Sequence, residues 1–299
     1  MQVHHDLSHL PVFRNAVVTI GTFDGVHLGH QIILSGLKKE AEAVNGETVV
    51  VTFHPHPRKI LASAQGPLML NTLEEKTERL AQLGIHHLVV APFNEAFAAI
   101  TARSYVEDFL VKTIQPHTLI IGYDHHFGRN REGNFHLLNE YAEKGAFRLV
   151  QVNEQVIEEI AVSSTRIRKA LTEGNTQLAT HLLGYDYFFS GEVVHGNKKG
   201  RTIGFPTANL QLDDADKLLP GNGVYVVTAR LNNETLQGMM NIGYRPTVGG
   251  NGLVVEVHLL NFNREIYGEI LTVEVKERLR SEQKFGSFDE LKTQLETDR

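Results

Sequence analysis

The spacing of apolar residues changes part-way along this chain, and that change limits its fold more than any other feature. Up to about residue 183, short runs rich in Val and Ile at 16–20, 48–53, 88–91, 118–121 and 147–152 alternate with amphipathic stretches. Ile33, Leu37, Ala41 and Val44 share one face of a helix expected over 30–44. A second helix, over 72–83, opens on the capping box Thr72-x-x-Glu75. Strand–helix–strand repetition requires a parallel sheet with right-handed crossovers, and such sheets bind ligands beyond the carboxyl ends of their strands. Later, strand-like runs at 187–195, 223–231, 236–242, 253–260 and 270–278 are separated by Gly, Asn and Pro clusters with no helix between them. That pattern makes an antiparallel barrel or sandwich. A closing helix is expected from the capping box Ser287-x-x-Glu290. The expected organisation is two domains, 1–183 and 184–299.

Composition narrows the chemistry. With 299 residues, 41% of them hydrophobic, both domains can bury a core without disulfides, and the absence of cysteine removes thiolate chemistry and Cys-based zinc sites. A net charge of −6 disfavours nonspecific binding to nucleic acid, so the expected partners are small molecules. The opening ten residues are polar and His-rich, unlike a secretory signal, and no apolar run is long enough to span a bilayer. A cytoplasmic protein, monomeric or weakly homo-oligomeric, is expected.

The stretch Gly21-Thr-Phe-Asp-Gly-Val-His-Leu-Gly-His30 runs from a strand directly into a helix. There a phosphate meets free backbone N–H groups and the positive end of the helix dipole. Gly21, Gly25 and Gly29 allow sharp turning and close approach, with Phe23 and Asp24 in the same turn. His27 and His30, three apart on a starting helix, point the same way and suit a phosphoryl centre that gains negative charge. A metal-binding His pair and a purely structural Gly turn are the plainer readings. Ser164, Thr165, Arg166 and Arg168, at the start of a further helical stretch, form either an anion site or an ordinary capped helix with solvated arginines.

In the second half, the segment GNKKGRTIGFPTAN at 196–209 carries Gly196, Lys199, Gly200, Arg201 and Gly204 in a loop able to fold over phosphates. It lacks a P-loop ending, and by itself it is equally a basic hairpin loop. Thr207 and Asn209, two apart on an extended segment, turn their oxygens to one side, where a hard cation could meet them. On the strand at 253–260, Val255, Val257 and Leu259 point one way while Glu256 and His258 point the other. Glu256 is thus a candidate base, or simply a surface glutamate.

Several motifs together carry a family resemblance: GTFDGVHLGH, FHPHP at 53–57, GYDHHFGRNREGNF at 122–135 and SSTRIR at 163–168, then the PTAN segment, NIGYRPTV at 241–248, VEVHLL at 255–260, YGE at 267–269 and LRSEQKF at 279–285. In this order, over about residues 15 to 295, they resemble the bacterial bifunctional riboflavin kinase/FMN adenylyltransferase (FAD synthetase) family. The resemblance implies a Rossmann-like α/β nucleotidyltransferase domain followed by a six-stranded antiparallel β-barrel kinase domain with a C-terminal helix. It implies phosphorylation of riboflavin to FMN in the barrel and adenylylation of FMN to FAD in the first domain. ATP with Mg2+ would be consumed, and the flavins would be substrates and products rather than bound prosthetic groups. By the same resemblance His27 and His30 stabilise the α-phosphate, and Ser164, Thr165 and Arg168 hold the departing pyrophosphate. His56, Pro57, Asp124 and Phe127 border the flavin, Thr207 and Asn209 hold Mg2+ and phosphate, Glu256 activates the ribityl 5′-hydroxyl, and Arg280 lies near the flavin end.

His125 and His126 are expected to face solvent without a catalytic role. Thr22 stands where the family often has Asn, and the chain stops soon after Asp298, slightly early for the family. Two other readings are an adenylyltransferase for a different phosphorylated metabolite, with a passive barrel, and a flavin-binding regulator that keeps the fold. An intact Glu256 with PTAN counts against the first, and intact His27, His30 and Glu256 against the second.

Overall fold

The structure, a computed structural model, describes residues 1–61, 66–152, 162–196, 205–247, 250–283, 290, 293–294 and 297–298. Of the expected phosphate loop, Gly196 is described, whereas Lys199, Gly200, Arg201 and Gly204 lie outside the described residues, as does Ser287, where the closing helix was expected to start. The chain divides into two compact units, Met1–Ser163 and Ser164–Arg299.

The first unit is built on strands β1 (Gln2–His4), β2 (Val17–Ile20), β3 (Thr48–His54), β4 (His87–Pro92), β5 (Thr118–Ile121) and β6 (Arg148–Gln151). All pair in parallel, in the order β1-β4-β3-β2-β5-β6. Residues along each strand alternate between two apolar layers. Val18, Ile20, Val49, Val51, Leu119 and Ile121 enter one, while Val17, Val50, Leu88, Val90 and Ile120 enter the other. Helix α1 (Leu28–Ala43) covers the second layer through buried Leu34, Leu37 and Ala41. Ile33 and Val44, read from sequence as core, pack at its margin. Helices α2 (Pro57–Leu61), α3 (Leu73–Gln82) and α4 (Phe135–Glu143) follow β3, precede β4 and precede β6. The Thr72/Glu75 capping box forms as read, with both reciprocal bonds present. A π-helical segment, Tyr105–Ile114, sends Tyr105, Val106, Phe109 and Leu110 into the first layer.

The second unit opens with α5 (Ser164–Thr172) and α6 (Thr176–Leu183). It continues as β7 (Phe188–Val194), β8 (Ala208–Gln211), β9 (Gly223–Leu231), β10 (Glu234–Thr247), β11 (Gly250–Leu259) and β12 (Ile270–Arg280). These six close into an antiparallel barrel, β10-β11-β8-β7-β12-β9, filled by Phe189, Tyr225, Val227, Met240, Val257 and Val273 among others. The parallel sheet agrees with the hydrophobic periods, and of the barrel or sandwich they left open the second unit forms the barrel; each sheet has one strand, β1 or β8, beyond the five runs read.

Helices α5 and α6 are tied to the barrel. The Gly221 N–H donates to the Leu171 carbonyl at 2.9 Å and Gln177 Nε2 to Glu277 Oε1 at 3.4 Å, while Leu182 and Leu183 are buried. Cutting the chain after them removes that cover. A fragment from Tyr185 to Arg299 should fold and phosphorylate riboflavin, but melt at least about 4 °C below one that starts at Ser164, the shift expected for about 1 kcal/mol. Equal melting temperatures by calorimetry would contradict the helices' part in barrel stability.

Candidate active sites

The parallel sheet places three sequence motifs at neighbouring strand ends. β3, β2 and β5 are adjacent, and beyond their carboxyl ends run His56–Pro57, the Gly21–His30 turn and Asp124. The chain proceeds from β2 outward to β3 on one side and reaches β5 on the other, so the crevice lies where the strand order reverses.

The turn after β2 is strained. Gly25 has φ 86°, which glycine accepts readily, but Phe23 (46°) and Val26 (36°) also adopt positive φ. Such conformations cost about 1–3 kcal/mol each and persist only where surroundings enforce them. Here Phe23 and Val26 are fully buried against α1, and the Asp24 carboxylate, itself buried, accepts the N–H groups of Leu70 (2.9 Å) and Asn71 (3.4 Å). Gly29 sits in the first turn of α1, so the conformational freedom read into all three glycines is used at Gly25.

His27 caps α1, and its Nδ1 accepts the His30 N–H at 3.4 Å. A nitrogen that accepts carries no proton, so Nδ1 of His27 faces the helix and its Nε2 is the nitrogen turned away from it. The His27 and His30 rings stack with centroids 3.6 Å apart and planes 16° from parallel, as the three-residue spacing requires. His30 Nδ1 is sealed from solvent with no hydrogen-bond partner, so any bond from this ring to a ligand must come from Nε2. Burial pushes His30 well below the ordinary imidazole value, and the charges of His27 and Lys76 add to the effect. The arrangement is a stacked imidazole pair at a helix N-terminus, with His30 held neutral by its burial.

The rest of the expected flavin side is mixed. His56 precedes α2, its Nδ1 accepting the Arg58 N–H at 3.1 Å, with Pro57 at the first helical position. Asp124 is exposed. Phe127 is only 6% exposed and stacks on Tyr105 at 4.8 Å, so its ring belongs to the core beneath the loop. His126 faces solvent as expected, but burial pushes His125 down to about 4, and its ring lies 5.7 Å from that of Phe127. Ser164, Thr165, Arg166 and Arg168 occupy the start of α5, whose Ile167, Ala170 and Leu171 are buried.

In the barrel, β8 pairs with β11 so that Asn209 stands opposite Glu256. Thr207 Oγ1 donates to Glu256 Oε1 at 3.4 Å. Val255, Val257 and Leu259 are buried and Glu256 and His258 lie on the other face, as the alternation requires. A side chain at Gly196 would meet the Asn209 amide, which would have to shift to admit it. Three oxygen-bearing groups thus converge on one barrel face. A cavity of about 290 Å³ adjoins Thr207, lined by apolar Val257, Leu259 and Phe262 and by Asn263, Arg264 and Glu265 among others. Of its 262–267 segment only Tyr267, in the YGE motif, was read from sequence, because a loop has no period to read. Arg280 grips Asp298, from Nε to both carboxylate oxygens at 3.1 Å and from Nη2 to Oδ2 at 2.6 Å.

Among the described residues no helix is long and apolar enough to cross a membrane. Residues 10–166 match the family model for FAD synthetase, and residues 183–299 that for riboflavin kinase. The bifunctional riboflavin kinase/FMN adenylyltransferase of Escherichia coli K12 is 40% identical over 295 residues, covering 98% of this chain and 93% of its own. That of Listeria monocytogenes is 41% identical over 286 residues, covering 95% and 90%. A crystal structure from Streptococcus pneumoniae, described as a macrolide-efflux protein, superposes with a TM-score of 0.88 at 32% identity, covering 99% of this chain and 96% of that one. Two matched modules in this order, with relatives alike over nearly the full length, make the chain a member of the bifunctional riboflavin kinase/FMN adenylyltransferase family, which turns riboflavin into FMN and FMN into FAD with ATP.

Proposed function

We propose that the two reactions run at the two constellations just described, over functional segments 1–183 and 184–299, the second supported by the start of the riboflavin kinase match at residue 183. In the barrel, Glu256 accepts the proton of the riboflavin 5′-hydroxyl as its oxygen bonds to the γ-phosphorus of ATP and ADP departs. The observation that carries this is the Thr207 hydroxyl on the Glu256 carboxylate with Asn209 directly opposite. Thr207 and Asn209 are neutral oxygen donors, which fit a hard cation such as Mg2+ that arrives with ATP. When bound, the ion neutralises phosphate charge. Gly196, Lys199, Gly200, Arg201 and Gly204 contact the phosphates, and the cavity beside Thr207 takes the nucleotide base.

In the first segment an FMN phosphate oxygen bonds to the α-phosphorus of a second ATP, and the bond to the departing pyrophosphate breaks. His27 and His30 donate from Nε2 to the α-phosphate as its charge grows. Gly21, Phe23 and Gly25 shape the phosphate turn, which Asp24 braces. Ser164, Thr165, Arg166 and Arg168 receive the pyrophosphate. His56, Pro57 and Asp124 border the flavin, Phe127 supports that loop from the core, and Arg280 lies near the flavin end of the barrel. The enzyme works in the cytoplasm as a monomer or weak homo-oligomer.

Thr207→Ala tests the ion assignment. It should lower FMN formation on the order of 10²-fold and leave conversion of supplied FMN to FAD unchanged. Nucleotide-free protein should carry almost no metal, and both reactions should need added Mg2+. Stoichiometric zinc or iron required for turnover would overturn the assignment.

A further inference from the structure

Lys76, on α3, is a buried charge that neither reaction as written above uses. Only 7% of it is exposed. An ammonium taken out of water is costly unless held by hydrogen bonds and opposite charge. Its Nζ donates to the Thr22 carbonyl at 2.7 Å and to Thr52 Oγ1 at 3.4 Å, and the Thr52 hydroxyl donates to the same carbonyl at 3.2 Å. The lysine therefore ties down the residue that begins the strained turn, between β3 and the phosphate-facing backbone. The charged and titratable groups that act on it or respond to it are Asp24 in the turn and His30, with His27 stacked against it, on α1. Thr22 and Thr52 are uncharged.

We propose that Lys76 is a positioning residue for adenylyl transfer, holding the turn from below through the Thr22 carbonyl, so that positive charge near the α-phosphate comes from beneath the turn. This rests on the assignment of His27 and His30 to the α-phosphate. Two features support it: the orphaned Nδ1 of His30, and a lysine buried under a turn that it hydrogen-bonds directly. Burial lowers the Lys76 ammonium to about 8 against the upward pull of Asp24, so its charge is lost within the accessible pH range. The sign for stability is opposite to that for activity. A lysine with a depressed folded value binds fewer protons than the unfolded chain above pH 8, so stability rises between about 8 and the ordinary 10.5 as the buried charge is relieved.

The test follows FAD formation from FMN and ATP from about pH 6 to pH 9.5, with riboflavin phosphorylation by the same sample as control. The wild-type kcat for FAD should fall with an apparent pKa near 8, which the kinase reaction does not share. Lys76→Met should lower that kcat on the order of 10²-fold, remove the alkaline limb, leave the KM for FMN nearly unchanged and abolish the alkaline gain in stability. Histidine NMR should show the His30 midpoint rising in the variant, as loss of a nearby ammonium requires, while the unchanged KM and the lost alkaline limb separate positioning from a merely structural role. Lys76→Met within about threefold of wild type, or an unshifted His30 midpoint, overturns the proposal. Should the variant not fold, a wild-type FAD profile with no fall near pH 8 overturns it equally. If His30→Ala leaves FAD formation intact, the failure lies in the histidine assignment.

Discussion

His27→Ala should lower FAD formation on the order of 10²–10³-fold, while FMN accumulates from riboflavin. Glu256→Gln should do the reverse, lowering riboflavin phosphorylation by about 10²–10⁴-fold while supplied FMN is still converted to FAD. The two side chains lie in different compact units and on unrelated elements, the start of α1 and the middle of β11. With His27 assigned as proposed to the α-phosphate, alanine would leave that charge unmet, and it also removes the Nδ1 acceptor for the His30 N–H. Gln at 256 keeps the shape and an acceptor for the Thr207 hydroxyl but cannot take a proton. Chromatographic separation of products, with riboflavin or FMN supplied, reads both outcomes. Loss of both activities in either variant, with an unchanged melting curve, would sink the two-site assignment.

Arg280→Ala should destabilise the barrel unit by about 3 kcal/mol, shifting its melting temperature by roughly 10 °C. The pair it breaks is well shielded, the Arg280 side chain being 16% and that of Asp298 5% exposed. Removing the guanidinium strands a carboxylate that burial already pushes upward and that the bonds from Arg280 and Gln294 now hold below its ordinary value. The same sign fixes the pH dependence: the pair's contribution is complete above the unfolded value of 3.8 and is lost as pH falls through the lower folded value. Arg280→Ala/Asp298→Asn should recover much of the loss, because no unpaired charge remains. Calorimetry of both variants decides it. A single variant as stable as wild type would show that the pair contributes nothing.

Much of this was legible because apolar periods are set by burial. The runs at 118–121 and 223–231 coincide with β5 and β9 residue for residue, since their Val and Ile residues meet cores that admit little else. β1 was missed because Gln-Val-His has no apolar run to read, and β8 because its four residues are half polar. The His27/His30 stack and the Thr207–Glu256 contact follow from spacing on a helix and alternation on strands, both local rules. Lys76 was invisible for the opposite reason. In Glu-Glu-Lys-Thr-Glu-Arg it reads as part of a solvated helix face, and only the approach of the Thr22 turn from 54 residues away buries it. Phe127 and His125 show the same limit, their surroundings being set by Tyr105 and the chain around them rather than by their motif.

The two sheets also differ in how they end. Every barrel strand is paired on both sides, whereas the parallel sheet stops at β1, three residues long, and at β6, where Arg148 forms an ion pair with Glu40 of α1. Unpaired N–H and C=O groups are where one chain can dock edge-on against another, and short length and charge are the usual protection against it. Edge-on contacts between partly unfolded copies should therefore begin at the ends of the parallel sheet, whereas the closed barrel offers no such edge.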